Sequence, residues 1–199
     1  MSEINYPGGV KIAGNPRKSP AKGKKKVLKV AAGNRGIAFE SQINDANAYY
    51  QEKGLCLVTK RPTPINVVKV DYSHGAIITQ AYFETQSTTD YNGVYKGKYL
   101  DFEAKSVRSK TSFPLSNIPP QQIRHLKEVI AHGGIAFFLI HFELLHRTYL
   151  MEARYIIDFY EKRERASIPL SSFEENGFLI PETFRPVYDY LPVVEKVFF

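Results

Sequence analysis

The segment Ile135–Phe142 reads Ile-Ala-Phe-Phe-Leu-Ile-His-Phe, an almost unbroken apolar run. It is far too short to cross a bilayer, which takes about 20 consecutive apolar residues. It is apolar at odd and even positions alike, so neither face of a strand built from it can meet water. Such a strand sits inside a sheet with covering layers on both sides. That requirement predicts a layered α/β architecture. The chain has the material for it: 199 residues suit one domain, and 43% hydrophobic and 13% aromatic residues can fill a core.

The flanking sequence supplies the helices. Phe39, Ile43, Ala46 and Tyr50 recur at helical spacing within Gly36–Lys53, and Gly54 is a natural stop. Pro119-Pro120 opens a second helix whose apolar face is Ile123, Leu126, Val129 and Ile130. A third is predicted over Ala153–Arg165. Strands are predicted at Leu55–Lys60, Tyr99–Lys105 and Arg147–Glu152, and a β-hairpin from Ile65–Tyr72 and Ala76–Phe83 about Ser73-His74-Gly75. Asn92-Gly93 is a strong short turn signal. The proline-punctuated, aromatic tail from Pro169 to Phe199 reads as packed. The resulting order predicts a mixed β-sheet flanked by helices.

Charge divides the chain unevenly. Residues 1–35 hold Lys11, Arg17, Lys18, Lys22, Lys24, Lys25, Lys26, Lys29 and Arg35 against Glu3 alone, a net +8. The remaining 164 residues carry −1. With its Pro and Gly punctuation and few bulky apolar residues, the segment over 1–32 cannot offset its ordering entropy. It reads as a flexible basic arm suited to phosphates, ahead of a folded domain over 33–199. The same prolines and glycines argue against an amphipathic membrane-surface helix. A single cysteine, Cys56, excludes an internal disulfide and points to a reducing, cytoplasmic setting. No signal peptide or membrane span is legible.

Asp101, Glu103 and Lys105 alternate, so in a strand all three share one face while Leu100, Phe102 and Ala104 take the other. A hairpin about Asn92-Gly93 would bring Asp90 toward Glu103. Paired carboxylates with a nearby lysine suit metal-assisted phosphodiester hydrolysis, because Mg²⁺ prefers one or two carboxylates plus waters and substrate phosphate. Taken alone, an acid followed two residues later by lysine is a spacing that composition produces by chance. A surface ion pair explains it equally well.

The wider pattern is more specific. Thr89-Asp90, then twelve residues, then Glu103-Ala104-Lys105 resembles the PD-(D/E)xK nuclease superfamily, with Thr89 in place of the usual proline. Asn5-Tyr6-Pro7-Gly8-Gly9, Gly33-Asn34-Arg35-Gly36 with Phe39-Glu40, Ser87-Thr88-Thr89-Asp90-Tyr91, Tyr99–Lys105 and Pro119-Pro120-Gln121-Gln122 together resemble the RecU family of Holliday junction resolvases from Gram-positive bacteria. The resemblance implies a restriction-endonuclease-like fold, and a homodimer that cuts four-way DNA junctions in recombination and repair, leaving 5′-phosphates. It implies Mg²⁺, with Mn²⁺ able to substitute, held at Thr88, Asp90, Glu103 and Gln122. It implies transition-state stabilisation by Lys105 and a protruding β stalk over about 61–83. A recombinase or branch-migration helicase is a further expected partner.

Several residues keep two readings. Gln122 is a helix-start hydrogen-bonding group or a metal ligand. Thr88 is a strand-end hydroxyl, or meets the metal through its carbonyl oxygen. Glu40 bonds near a helix start or reaches the metal through water, and Asp101 joins the acidic cluster or pairs with Lys98. Lys60, Arg61 and Lys69 add DNA-facing charge to the arm. His74, His125, His132, His141 and His146 lack metal-site spacing and read as structural. The competing function is a non-catalytic junction-binding accessory protein.

Overall fold

The computed structural model describes residues 33–84 and 88–199, with side chains from Ala38 onward. The basic arm expected over residues 1–32 lies outside the described residues, as does Ser87. Helix α1 (Gly33–Glu52) begins three residues before its expected start. Strands β1 (Leu57–Lys60), β2 (Ile65–Asp71), β3 (Ile77–Phe83), β4 (Tyr91–Tyr95), β5 (Lys98–Val107) and β6 (Ser112–Pro114) follow. Then come α2 (Pro120–Ala131), β7 (Ile135–Phe142), β8 (Arg147–Glu152) and α3 (Ala153–Lys162). The tail resolves into β9 (Ser167–Pro169), α4 (Leu170–Asn176), β10 (Phe178–Ile180) and α5 (Leu191–Phe198). Among the described residues no helix is long and apolar enough to cross a membrane.

The main sheet has six strands in the order β1-β4-β5-β7-β8-β10. Strands β5 and β7 are parallel, joined through α2, and every other pair is antiparallel. The sheet is therefore mixed, as expected. The apolar run is β7, near its centre. Ile135, Phe137 and Leu139 enter the core against α1 and α5, while Ala136, Phe138, Ile140 and Phe142 enter the core against α2, α3 and α4. Phe39, Ile43, Ala46 and Tyr50 of α1 are all buried, the stripe predicted from their spacing. Burying a large apolar side chain such as Phe39 or Ile43 is worth about 1.5–3 kcal/mol before entropy is counted.

Two expectations move. The turn joining β4 to β5 lies at Lys96-Gly97, with φ of 46° and 76°, the positive pair that a two-residue hairpin of this twist requires. Asn92-Gly93 sits inside β4, opposite Asp101 and Leu100. Gly93 serves packing there: a Cβ on it would come 2.1 Å from the Leu57 carbonyl oxygen of β1. The later turn also sets the register. Tyr91 faces Phe102, so Asp90, one residue back, arrives beside Glu103. Helix α3 ends at Lys162 rather than Arg165, because Arg163 turns left-handed and its N–H caps the Phe159 carbonyl.

Strands β2 and β3 form a separate two-stranded ribbon with a register shift at Lys69. Almost every side chain on it is exposed, including Val67, Val68, Ile77, Ile78 and Tyr82. This is the segment from which a stalk is expected. Its base is closed by Glu84 N–H donating to the Pro64 carbonyl at 3.0 Å.

Gly93→Ala should push β1 away from β4 and destabilise the fold by about 1–3 kcal/mol, the usual cost of forced overpacking. A lowered denaturant midpoint at unchanged m-value would establish this. An unchanged midpoint would mean that β1 moves aside freely.

Candidate active site

Strand β5 has two unlike faces. Leu100, Phe102 and Ala104 point into the α1-side core, where Phe102 stacks between Tyr91 and Phe137 with ring centroids 4.9 and 4.6 Å away. The opposite face carries Asp101, Glu103 and Lys105 beneath α2. Asp101 and Glu103 are both fully buried. Buried carboxylates persist only with partners, and the two acids have different ones.

Glu103 belongs to the first cluster. Its Oε2 accepts the Asp90 backbone N–H at 2.9 Å, and its Oε1 meets the Lys105 ammonium. Burial, opposed by Lys105 and helped by the charge of Asp90, pushes the Glu103 carboxyl up to about 8. Glu103 thus sits against the Asp90 backbone with the Lys105 ammonium beside it and the Asp90 charge within electrostatic range. Gln122, in the first turn of α2, is buried, and its amide oxygen has no hydrogen-bond partner. His125, one helical turn later on the same face, reaches Asp101, so α2 lies over β5 with Gln122 on the Glu103 side.

Asp101 neither joins that cluster nor pairs with Lys98. Its Oδ2 accepts from Arg61 Nη2 at 2.7 Å, Tyr99 OH at 2.9 Å and His125 Nε2 at 2.9 Å, and its Oδ1 accepts from the Thr89 hydroxyl. Burial alone would raise this carboxyl, but the bonds from Arg61, Thr89 and His125 hold it below the usual carboxylate range. Arg61, expected on DNA, is turned inward by this demand for a counter-charge. Thr89 uses its hydroxyl here, which proline in that place could not do.

Glu40 pairs with Lys60 at the rim, and its carbonyl accepts from the Tyr91 hydroxyl at 3.2 Å. Burial first, then the charges of Glu40, Asp90 and Glu103, push the Tyr91 phenol far above its ordinary range. Glu40, Asp90 and Glu103 thus all lie within electrostatic reach of Tyr91. Thr88 is half-buried next to Thr89, and Lys69 is exposed on β2. The Arg35 side chain and the cluster Arg17, Lys18, Lys22, Lys24, Lys25, Lys26 and Lys29 lie outside the described residues. The structural reading of His125 fits its bond to Asp101. Tyr99 was not singled out from sequence, although it shares a strand face with Asp101 at i, i+2. Burial of Cys56 pushes its thiol up to about 11, as for an inert core cysteine.

Among the described residues no three His, Cys, Asp or Glu side chains gather as a metal site. The donors at this place are two carboxylates and an amide oxygen without a partner. That all-oxygen set suits a hard divalent cation that keeps waters and not a thiolate or imidazole metal. The raised Glu103 carboxyl beside the charge of Asp90 fits such a cation, since a positive charge there would favour the ionised form of Glu103.

Comparison with known proteins agrees in extent. The family model RecU, described as Recombination protein U, matches residues 34–196. The protein called Holliday junction resolvase RecU in Geobacillus kaustophilus is 45% identical over 201 residues, covering 98% of both chains. That of Bacillus mycoides is 45% identical over 203 residues, again covering 98% of both. A solved structure of Archaeoglobus fulgidus Hjc, a Holliday junction resolvase, overlays at TM-score 0.43 and 12% identity, covering 72% of this chain and 94% of that one.

Glu103 generates a stability prediction. Its folded value of about 8 lies above the ordinary 4.5. Between those values the folded state keeps a proton that the unfolded state has lost, so this group's contribution declines as pH rises through that window. In chelator, Glu103→Gln should therefore match wild type near pH 5 and melt several degrees higher near pH 8.5. Thermal melts of both proteins across that range would show the gap opening; parallel curves would mean that Glu103 ionises normally.

Proposed function

This chain belongs to the RecU family, and on that premise we propose that it is a divalent-metal-dependent endonuclease resolving four-way DNA junctions in recombination and repair. The observation that carries this reading is the buried Glu103 of β5, which meets the Asp90 backbone and the Lys105 ammonium, with α2 and the unpartnered amide oxygen of buried Gln122 packed over that face. Such a set has little structural reason to be buried. It has a clear chemical reason, which is to gather oxygen ligands and one ammonium at a phosphodiester.

Asp90, Glu103 and Gln122 would hold Mg²⁺, with the Thr88 carbonyl as a further donor and Mn²⁺ as a substitute. When bound, the cation lowers the pKa of a water and offsets charge on the phosphoryl oxygens. The residues divide the remaining work. Lys105 is partly exposed beside fully buried Glu103, so its ammonium can neutralise the negative charge that gathers at the scissile phosphate. With a cation held there, Glu103 would have another positive partner and Lys105 would be free to turn to the phosphate. Asp90 directly precedes β4 and Gln122 lies in α2, so the site assembles only in the folded sheet. Hydrolysis leaves a 5′-phosphate.

DNA is gripped elsewhere. The arm, including Arg17, Lys18, Lys22, Lys24, Lys25, Lys26 and Lys29, carries the whole excess of positive charge, and Arg35 follows just beyond it. Lys60 and exposed Lys69 add to it at the rim and on the ribbon. The ribbon, exposed on both faces, suits insertion at a junction centre, where Tyr82 can stack on splayed bases. Symmetric cutting of two strands requires two sites, hence a homodimer. The setting is cytoplasmic, with a recombinase or branch-migration helicase as co-worker.

A mobile four-way junction incubated with Mg²⁺ should yield paired nicked duplexes with wild type, and at least about 100-fold less product with Asp90→Asn or Glu103→Gln. Wild-type rates from both variants would refute the assignment. Removing residues 1–32 should flatten the dependence of junction affinity on salt, read as a shallower slope of log K against log salt.

A further inference from the structure

Asp101 and Arg61 stand where sequence alone suggests an accessory acid and a phosphate contact. Resting on the nuclease reading above, we infer that they are instead the positioning device of the site: a buried hub that sets the Asp90 backbone against Glu103 and ties the foot of the β2–β3 ribbon to it.

The geometry is specific. Arg61 is the first residue after β1, where the chain leaves the sheet for the ribbon. Its backbone N–H donates to the Asp90 carbonyl at 2.8 Å. Its Nη1 donates to the Thr89 carbonyl at 3.1 Å and the Thr89 hydroxyl at 2.6 Å. Its Nη2 donates to Asp101 Oδ2 at 2.7 Å and to Tyr99 OH at 2.8 Å. With the Asp90 N–H on Glu103, three successive backbone groups are held: the Thr89 carbonyl, the Asp90 N–H and the Asp90 carbonyl. Asp90 thus has little freedom to drift from Glu103.

Asp101 anchors the far side. An ionised carboxylate only accepts, so the 2.9 Å contact with His125 makes that Nε2 a donor. Through His125 the hub also fixes α2, which carries Gln122. One buried acid therefore connects the strand leaving for the ribbon, the segment returning from it and the helix over the site. A fork-shaped guanidinium is needed, because its two ends bond two different elements at once; lysine carries its charge on one compact head. Burying this pair gains little stability by itself, so its worth lies in alignment.

The test uses full-length protein and three variants. Arg61→Lys keeps the charge and loses the fork. Asp101→Asn loses the acid. The double variant Arg61→Gln/Asp101→Asn removes both charges, so it folds even where Asp101→Asn alone strands a buried arginine. Mn²⁺ affinity is read by electron paramagnetic resonance, junction binding in chelator, and cleavage against Mg²⁺ concentration. The expected result is Mn²⁺ affinity weakened about 10- to 100-fold, as for lost supports of metal ligands. Metal-free junction affinity should stay unchanged, and excess Mg²⁺ should restore part of the turnover. Folded variants with wild-type Mn²⁺ affinity and Mg²⁺ dependence would overturn the inference. So would a loss of metal-free junction binding at unchanged Mn²⁺ affinity, which would make Arg61 a DNA contact. A wild type that binds Mn²⁺ yet cuts no junction would sink the nuclease reading alone, since the variants' Mn²⁺ affinities still report on positioning.

Discussion

Two carboxylates buried side by side under one helix are the constraint around which the rest of this structure is arranged. Asp101 and Glu103 lie on one face of β5 with no access to water. A charge in that position must be paired, protonated or bound to metal. Asp101 takes the first course through Arg61, Thr89, Tyr99 and His125. Glu103, held by Lys105 but buried and beside the charge of Asp90, is pushed toward the second, and the third would resolve it. The neighbours thus differ in state though they differ by only two positions in sequence. Placing them required a strand whose other face is purely apolar, so that Phe102 could hold the backbone still from behind.

Much of the frame was legible in the sequence, and for physical reasons. Ile135–Phe142 is apolar in both parities, and it became the strand with a core on each side. The spacing of Phe39, Ile43, Ala46 and Tyr50 fixed the buried face of α1. The β-branched hairpin from Ile65 appeared as an exposed ribbon. These signals are local, carried by residues a few positions apart. The turn signal at Asn92-Gly93 misled because glycine there answers to the close approach of β1, which is brought in from 35 positions away at Val58. The strands β6 and β9 have three residues each and little periodicity to read.

The site was legible in part for the same reason. Alternation placed Asp101, Glu103 and Lys105 on one face, and that held. The partners of Asp101 could not be read, since Arg61 is 40 residues away and His125 is 24. An arginine beside Pro62 and near Lys60 looks like surface charge until a buried acid claims it. The role of Thr89 was equally hidden: it appeared as a departure from proline, and it turned out to be a hydroxyl that only a buried carboxylate explains.

The closed foot of the ribbon has a consequence for how such a protein can vary. The chain departs at Arg61 and returns at Asp90, and those two residues share a backbone hydrogen bond; a second bond, between Glu84 and Pro64, seals the strands just beyond. Everything past that seal is a cassette whose length the sheet does not sense. Adding or removing paired residues at the tip alters loop-closure entropy only slightly, while the acidic face of β5 keeps its register. The length of the ribbon and the alignment of the buried acids can therefore vary independently, as separate modules of one short chain.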